Sequence, residues 1–322
     1  MKAIVCENFG PVTDLRLIER ESAPVGPGDV RVDVTACGVN YVDGLFVQGK
    51  YQIKPPVPFV PGMEVVGRIV EIGSEVTERA IDDRVFVNVG LGGYVDEVVV
   101  GAPRTMLLPD TITDGQAATF TQSYLTGWFA LRERAHVEAG QSILVLGAGS
   151  GVGLAAVDIA STLGLRVIAT ASTEEKRELA LSRGAEAVID STTEDVKERA
   201  KELGGGSVDV LYDPIGGDLG TTCLRALGDN GAYLVIGFVA GIPNLPANQI
   251  LLRNRRVIGV DWGGWALRNA ERNDQMVTEV LAEIAAGRLD PVEPVRYSLA
   301  DAAQALTDLE ERRVAGKAIL VP

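Results

Sequence analysis

At 322 residues the chain is long for one hydrophobic core and suits two domains. Its 30 Lys and Arg against 44 Asp and Glu leave a formal charge of −14, which repels phosphate backbones and anionic headgroups and argues against nucleic acid or a membrane surface as main partner. No apolar run approaches the ~20 residues that span a bilayer and the first residues carry no apolar signal core; Cys6, Cys37 and Cys223 are scattered without C-x-x-C spacing. The expectation is a cytoplasmic protein with neither a disulfide framework nor a cysteine zinc site.

In chain order, Val30-Arg-Val-Asp-Val-Thr-Ala, Gly67-Arg-Ile-Val-Glu-Ile and Arg84-Val-Phe-Val-Asn-Val alternate apolar with polar and are separated by Gly and Pro, which predicts a mostly antiparallel β domain. From about Ala117 short apolar strands alternate with helices, the pattern of a doubly wound parallel sheet covered on both faces. Strands are expected near 142–147, 166–170, 186–189, 208–212, 231–236 and 256–260. A helix Glu174–Arg183 ends at Gly184, and Gly228 and Gly231 frame a further turn. Helices over 273–286 and 299–312 and a strand Ala318–Val321 complete the chain. The expected fold class is α/β, with residues 1–120 and a returning tail, 268–322, forming one domain and 121–267 the other.

The run Ser142-Ile-Leu-Val-Leu-Gly147-Ala-Gly149-Ser150-Gly151-Val152-Gly153-Leu reads as a strand, a glycine turn and a helix start. Such a turn lets backbone approach a dinucleotide pyrophosphate, and the helix N-terminus favours its charge. Strict G-x-G-x-x-G spacing is absent, but the strand that follows, Leu165–Thr170, stands at the distance of a βαβ unit. At the end of that strand no carboxylate is present to bind ribose hydroxyls; Ser172 and Lys176 favour a 2′-phosphate, hence NADPH over NADH. The competing reading is that Ser172 or Thr173 caps the helix and Lys176 is solvated.

Cys37-Gly-Val-Asn40-Tyr41-Val-Asp43, Pro58-Phe-Val-Pro61-Gly62-Met63-Glu64-Val-Val-Gly67, the glycine turn, Val208-Asp-Val-Leu-Tyr-Asp213-Pro-Ile-Gly216-Gly217 and Gly316-Lys317-Ala-Ile-Leu-Val resemble the zinc-independent NADPH:quinone oxidoreductases, the zeta-crystallin-like branch of the medium-chain dehydrogenase/reductase superfamily. The resemblance implies a GroES-like catalytic domain and a Rossmann-type NADPH-binding domain. It sets Asn40 and Met63 at the positions where zinc-dependent relatives carry Cys and His, so no metal is expected; the only histidine, His136, reads as a surface residue. It differs from the family at Ser150, where glycine is usual and the hydroxyl offers the phosphates a donor, and at Leu45 and Ser191, where tyrosines are frequent.

By resemblance, Asn40 and Thr126 contact the nicotinamide ribose or the acceptor, Gly237, Phe238 and Val239 meet the carboxamide, and Lys317 belongs to the cofactor contacts; a turn asparagine, a hydroxyl packed into its own helix and a core Phe238 are the structural alternatives. Tyr41, Tyr51 and Tyr124 are candidate proton donors. Without metal or histidine, an acceptor that takes hydride on carbon is favoured, so the expected activity is reduction of quinones or electron-poor carbonyl compounds. A reductase of alkenals, enones or enoyl thioesters and a nonenzymatic NADPH-binding protein are the alternatives. Asp261-Trp262-Gly-Gly-Trp265 offers an aromatic wall or a subunit contact, and Val257–Val260 is the candidate edge strand of a homodimer.

Overall fold

The computed structural model describes residues 1–322, which divide into Met1–Thr121 with Val292–Pro322, and Gln122–Pro291. The first unit opens with β1 (Lys2–Val5), β2 (Arg16–Glu19), β3 (Asp29–Val39), β4 (Glu64–Ile72), β5 (Arg84–Asn88), β6 (Glu97–Gly101) and β7 (Thr105–Leu107). The second carries β8 (Ser142–Val145), β9 (Arg166–Ala171), β10 (Ala187–Asp190), β11 (Val208–Asp213), β12 (Leu227–Val235) and β13 (Arg256–Gly259). The chain then returns to the first unit with β14 (Val295–Ser298) and β15 (Ala318–Val321).

In the first unit the order is β14-β15-β3-β4-β5-β7, with β6 also on β3, and every pair except β14 with β15 is antiparallel. Strand β3 alternates as expected over its first half and is buried on both faces from Ala36 to Val39. The reason is tertiary: Cys37, Gly38 and Val39 pair with Leu320, Ile319 and Ala318 of β15, and the helix Asp114–Phe120 lies against Gly38 so closely that a Cβ there would fall 2.0 Å from the Ala118 carbonyl oxygen. An apolar core centred on Val30, Val32, Val65, Ile69, Val85 and Tyr94 fills this unit.

In the second unit all six strands are parallel in the order β10-β9-β8-β11-β12-β13. The strand order reverses between β8 and β11, the switch point at whose carboxyl ends ligands bind in such sheets. The expected doubly wound sheet and the expected antiparallel β unit therefore both form. Strand β12 starts four residues earlier than the sequence pattern suggests: Gly228–Gly231 is a bulge within it, where the β11 register shifts and Asn230 takes φ 60°.

Residues 268–291, expected with the first domain, belong to the second unit. Their helix, Ala270–Ala285, is anchored there by Trp128 Nε1, which donates to Glu279 at 3.2 Å, and by Arg272, which pairs with Glu133 and Glu279. The expected helix 299–312 resolves into a 3-10 turn, Leu299–Asp301, and a helix Ala302–Glu310. The three cysteines are free and buried.

Candidate functional site

Two groups of residues carry the sequence expectations, one in each unit. In the second, β8 is buried throughout and delivers the chain into Gly147 at φ 60°. Ser150 closes the turn: its hydroxyl donates to the Gly147 carbonyl at 2.7 Å and accepts from the Gly153 N–H at 3.3 Å, capping the helix Gly151–Thr162. The donor expected to serve phosphates is thus spent inside the turn. Gly151 and Val152, in the first helical turn, have N–H groups without intrahelical acceptors. A Cβ on Gly153 would lie 2.3 Å from the Gly147 oxygen, and one on Gly149 would lie 2.5 to 2.8 Å from the Lys176 stem. Glycine at both positions makes a cradle in which backbone, not side chain, faces a ligand, and this fits a pyrophosphate.

Beyond β9 the helix Glu174–Ser182 is capped by Thr173, which accepts from the Lys176 N–H at 3.4 Å, so Ser172 is released from the capping role and stays exposed. Lys176 is 8% exposed rather than solvated, its stem laid over Gly149. Glu174 and Glu175 are exposed in the first helical turn, and Asp190, the β10 partner of Ala171, is paired with Arg177 at 3.1 Å.

At the carboxyl ends of β11 and β12, Asp213 organises the loops: one carboxylate oxygen accepts from the N–H groups of Ile215 and Gly216, each at 2.8 Å, and the other from the Tyr233 hydroxyl. The Asp213 carbonyl accepts from the Gly237 N–H at 3.3 Å, which positions Gly237, Phe238 and Val239. Phe238 is 44% exposed and is no core residue. Thr126 is buried and donates back to the Gln122 carbonyl at 2.7 Å, leaving its oxygen lone pairs to accept. Tyr124 is withdrawn as a proton donor: it is buried and its hydroxyl donates to Asp158 at 2.6 Å. Trp262 and Trp265 form no flexible wall, because the intervening glycines are helical, Trp262 is buried and bonded to Asn273, and Trp265 packs on Phe129 at 4.7 Å.

In the first unit the structure gathers a buried polar cluster. Asn40 is 4% exposed; its Nδ2 donates to Glu64 at 3.0 Å and its Oδ1 accepts from the Lys317 ammonium. The other Glu64 oxygen accepts from the Thr121 hydroxyl. Asp43 accepts from the Asn40 N–H at 2.8 Å and from the Tyr94 hydroxyl at 2.9 Å, while its second oxygen has no partner. Burial pushes the Asp43 carboxyl up to about 7, against the pull of these hydrogen bonds. Burial lowers Lys317, and Glu64 and Asp43 oppose that. Tyr41, at the first turn of the helix Tyr41–Val47, is 38% exposed, and Tyr51 packs tilted against Phe46 with ring centres 4.6 Å apart.

Asp43, Tyr94 and Thr121 escaped the sequence reading. The one available signal was the Asn40-x-x-Asp43 spacing of a helix N-terminus.

Residues 26–130 match the alcohol dehydrogenase GroES-like domain family and residues 151–283 the zinc-binding dehydrogenase family. Over 99% of its length the chain is 35% identical to quinone oxidoreductase-like protein 2 homolog of Nematostella vectensis, covering 88% of that protein. The chain belongs to the quinone oxidoreductase-like medium-chain dehydrogenases/reductases. This oxidoreductase is also 30% identical, over its full length and 86% of the relative, to the human synaptic vesicle membrane protein VAT-1 homolog. Escherichia coli quinone oxidoreductase complexed with NADPH superimposes with a TM-score of 0.90 at 29% identity, each chain covered completely. No helix of this oxidoreductase is long and apolar enough to cross a membrane.

The family name raises the question of zinc, and the residues do not fit one. No group of three or more His, Cys, Asp or Glu is placed to hold a metal. Asn40 has both ends of its amide engaged, and the charge beside Glu64 is already balanced by the Lys317 ammonium.

Proposed function

We propose that this oxidoreductase is an NADPH-dependent, metal-free reductase of quinones or related electron-poor carbonyl compounds. The observation that carries the cofactor choice is the seat of Lys176, folded over Gly149 at the end of a strand that bears no carboxylate. When bound, NADPH supplies a hydride from its nicotinamide ring. The turn from Gly147 and Gly149 through Ser150, Gly151, Val152 and Gly153 takes the pyrophosphate against backbone, with the Gly151 and Val152 N–H groups as donors. Lys176 and Ser172 take the 2′-phosphate. Gly237, Phe238 and Val239 present backbone to the carboxamide, and Thr126 and Asn40 hold the nicotinamide ribose or the acceptor oxygen. Tyr41 and Tyr51, neither tied to a carboxylate, are the proton donors to be tested first. Pairing of two β13 edges, where Val257 is 40% exposed, would make a homodimer.

Steady-state NADPH oxidation against naphthoquinones, 2-alkenals and crotonyl-CoA tests the reading. Turnover led by quinones, with NADPH preferred over NADH, is the expected result. Faster turnover of alkenals or the thioester assigns double-bond reduction instead, and tight NADPH binding without turnover of any acceptor assigns a binding protein.

A further inference from the structure

The side-chain amide of Asn40 is held at both ends by groups that leave its orientation no choice. The Lys317 ammonium can only donate and so faces Oδ1; the Glu64 carboxylate accepts and so faces Nδ2. Strand register brings the three together. Lys317 stands one position before Ala318, the partner of Val39, and Glu64 one position before Val65, the partner of Cys37, so all three leave neighbouring strands at one end of the sheet. Glu64 is fixed in turn by the Thr121 hydroxyl, and all three side chains are buried.

We propose that Lys317 is a positioning residue: with Glu64 it locks the Asn40 amide so that one Nδ2 hydrogen and one Oδ1 lone pair remain for the bound ligand. This rests on the reading that Asn40 serves the reductase. It moves Lys317 from the cofactor contacts, where resemblance had put it, to the support of the residue that meets ligand. The full lock requires a protonated amine, because a neutral amine also accepts and so leaves the amide held at its Glu64 end alone. The groups facing Lys317 are Glu64 and Asp43, and beyond Asp43 lie Tyr94, Cys37 and Asp96. The two nearest carboxylates hold the proton on, and burial works against them.

The test is a double-mutant cycle of Lys317→Met and Asn40→Ala in the full chain, reading kcat/KM for naphthoquinone, the Kd for NADPH by fluorescence, and the pH profile. Each single variant is expected to lose on the order of 10- to 100-fold in kcat/KM, and the double variant no more than the worse single one. The alkaline limb of the wild-type profile should vanish in Asn40→Ala. Losses that multiply, or a limb unchanged in Asn40→Ala, overturn the proposal. Normal Lys317→Met beside impaired Asn40→Ala overturns it while sparing the reading of Asn40; normal Asn40→Ala sinks both. Should Lys317→Met fail to fold, Lys317→Arg, which keeps the donor and its charge to higher pH, is expected to hold kcat/KM within a few-fold and push the limb upward. A limb left at its wild-type position in that variant counts against the proposal.

Discussion

Asp43→Asn separates the cost of a buried charge from the value of its hydrogen bonds. The folded carboxyl titrates near 7 against an ordinary 3.8. Below about pH 4 folded and unfolded chains both hold the proton; from there to about pH 7 the unfolded chain releases it while the folded one keeps it, so stability falls by about 1.4 kcal/mol per pH unit. Between pH 5 and pH 8 that amounts to about 3 kcal/mol, all of it lost below pH ~7. Asparagine retains an oxygen for the Asn40 N–H and the Tyr94 hydroxyl and places its NH2 where the partnerless oxygen was. An unmatched buried NH2 costs about 1–3 kcal/mol at every pH. Wild type has lost about 1.6 kcal/mol by pH 5 and about 4 kcal/mol by pH 8, so the variant should lie within about 1.5 kcal/mol of wild type at pH 5 and be stronger by about 1–3 kcal/mol at pH 8. At about 2–4 °C per kcal/mol the gap between their melting temperatures should move by about 6–12 °C across that range. Thermal melts by near-ultraviolet circular dichroism at pH 5, 6, 7 and 8 measure it, and because other groups titrate alike in both proteins, parallel curves would refute the reasoning.

Three further outcomes follow from the second unit. Gly153→Ala drives a Cβ to 2.3 Å from the Gly147 oxygen and must open the turn; its Kd for NADPH should rise by about tenfold or more, with about 1–3 kcal/mol of lost stability in the same protein's melt. Lys176→Glu should weaken NADPH by about 10- to 100-fold, the worth of a charge-assisted hydrogen bond, and NADH by far less; fluorescence titration giving an unchanged ratio of the two constants would remove Lys176 from the phosphate site. Tyr124→Phe deprives buried Asp158 of a 2.6 Å hydrogen bond and should cost about 1–3 kcal/mol in denaturant melts while quinone turnover per folded molecule stays unchanged.

Local pattern was enough for the parallel sheet, because each of its strands is an apolar run bounded by glycines or a capped helix. Thr173 and Gly184 mark one such helix to the residue. What the sequence concealed depends on partners far along the chain. The last residues of β3 are strand because β15 lies beside them, and the helix Ala270–Ala285 joins the second unit because Arg272 finds Glu133 and Glu279. The glycine turn was legible as a phosphate cradle, yet the task of Ser150 was not, since capping and ligand donation use the same hydroxyl. The cluster around Asn40 was legible only in part. Asn40 and Glu64 lie in motifs that the family resemblance marks, but Tyr94 reaches Asp43 and Thr121 reaches Glu64 through tertiary contacts that leave no spacing to read.

The pairing of β15 with β3 also orders events as the chain is made. The second unit is continuous from Gln122 to Pro291 and is complete on the ribosome before residue 317 is reached, so the Rossmann sheet can fold while the first unit still lacks its last two strands. Until then neither Glu64 nor Asp43 has Lys317 beside it, and the first unit waits for a cation that its late strand delivers.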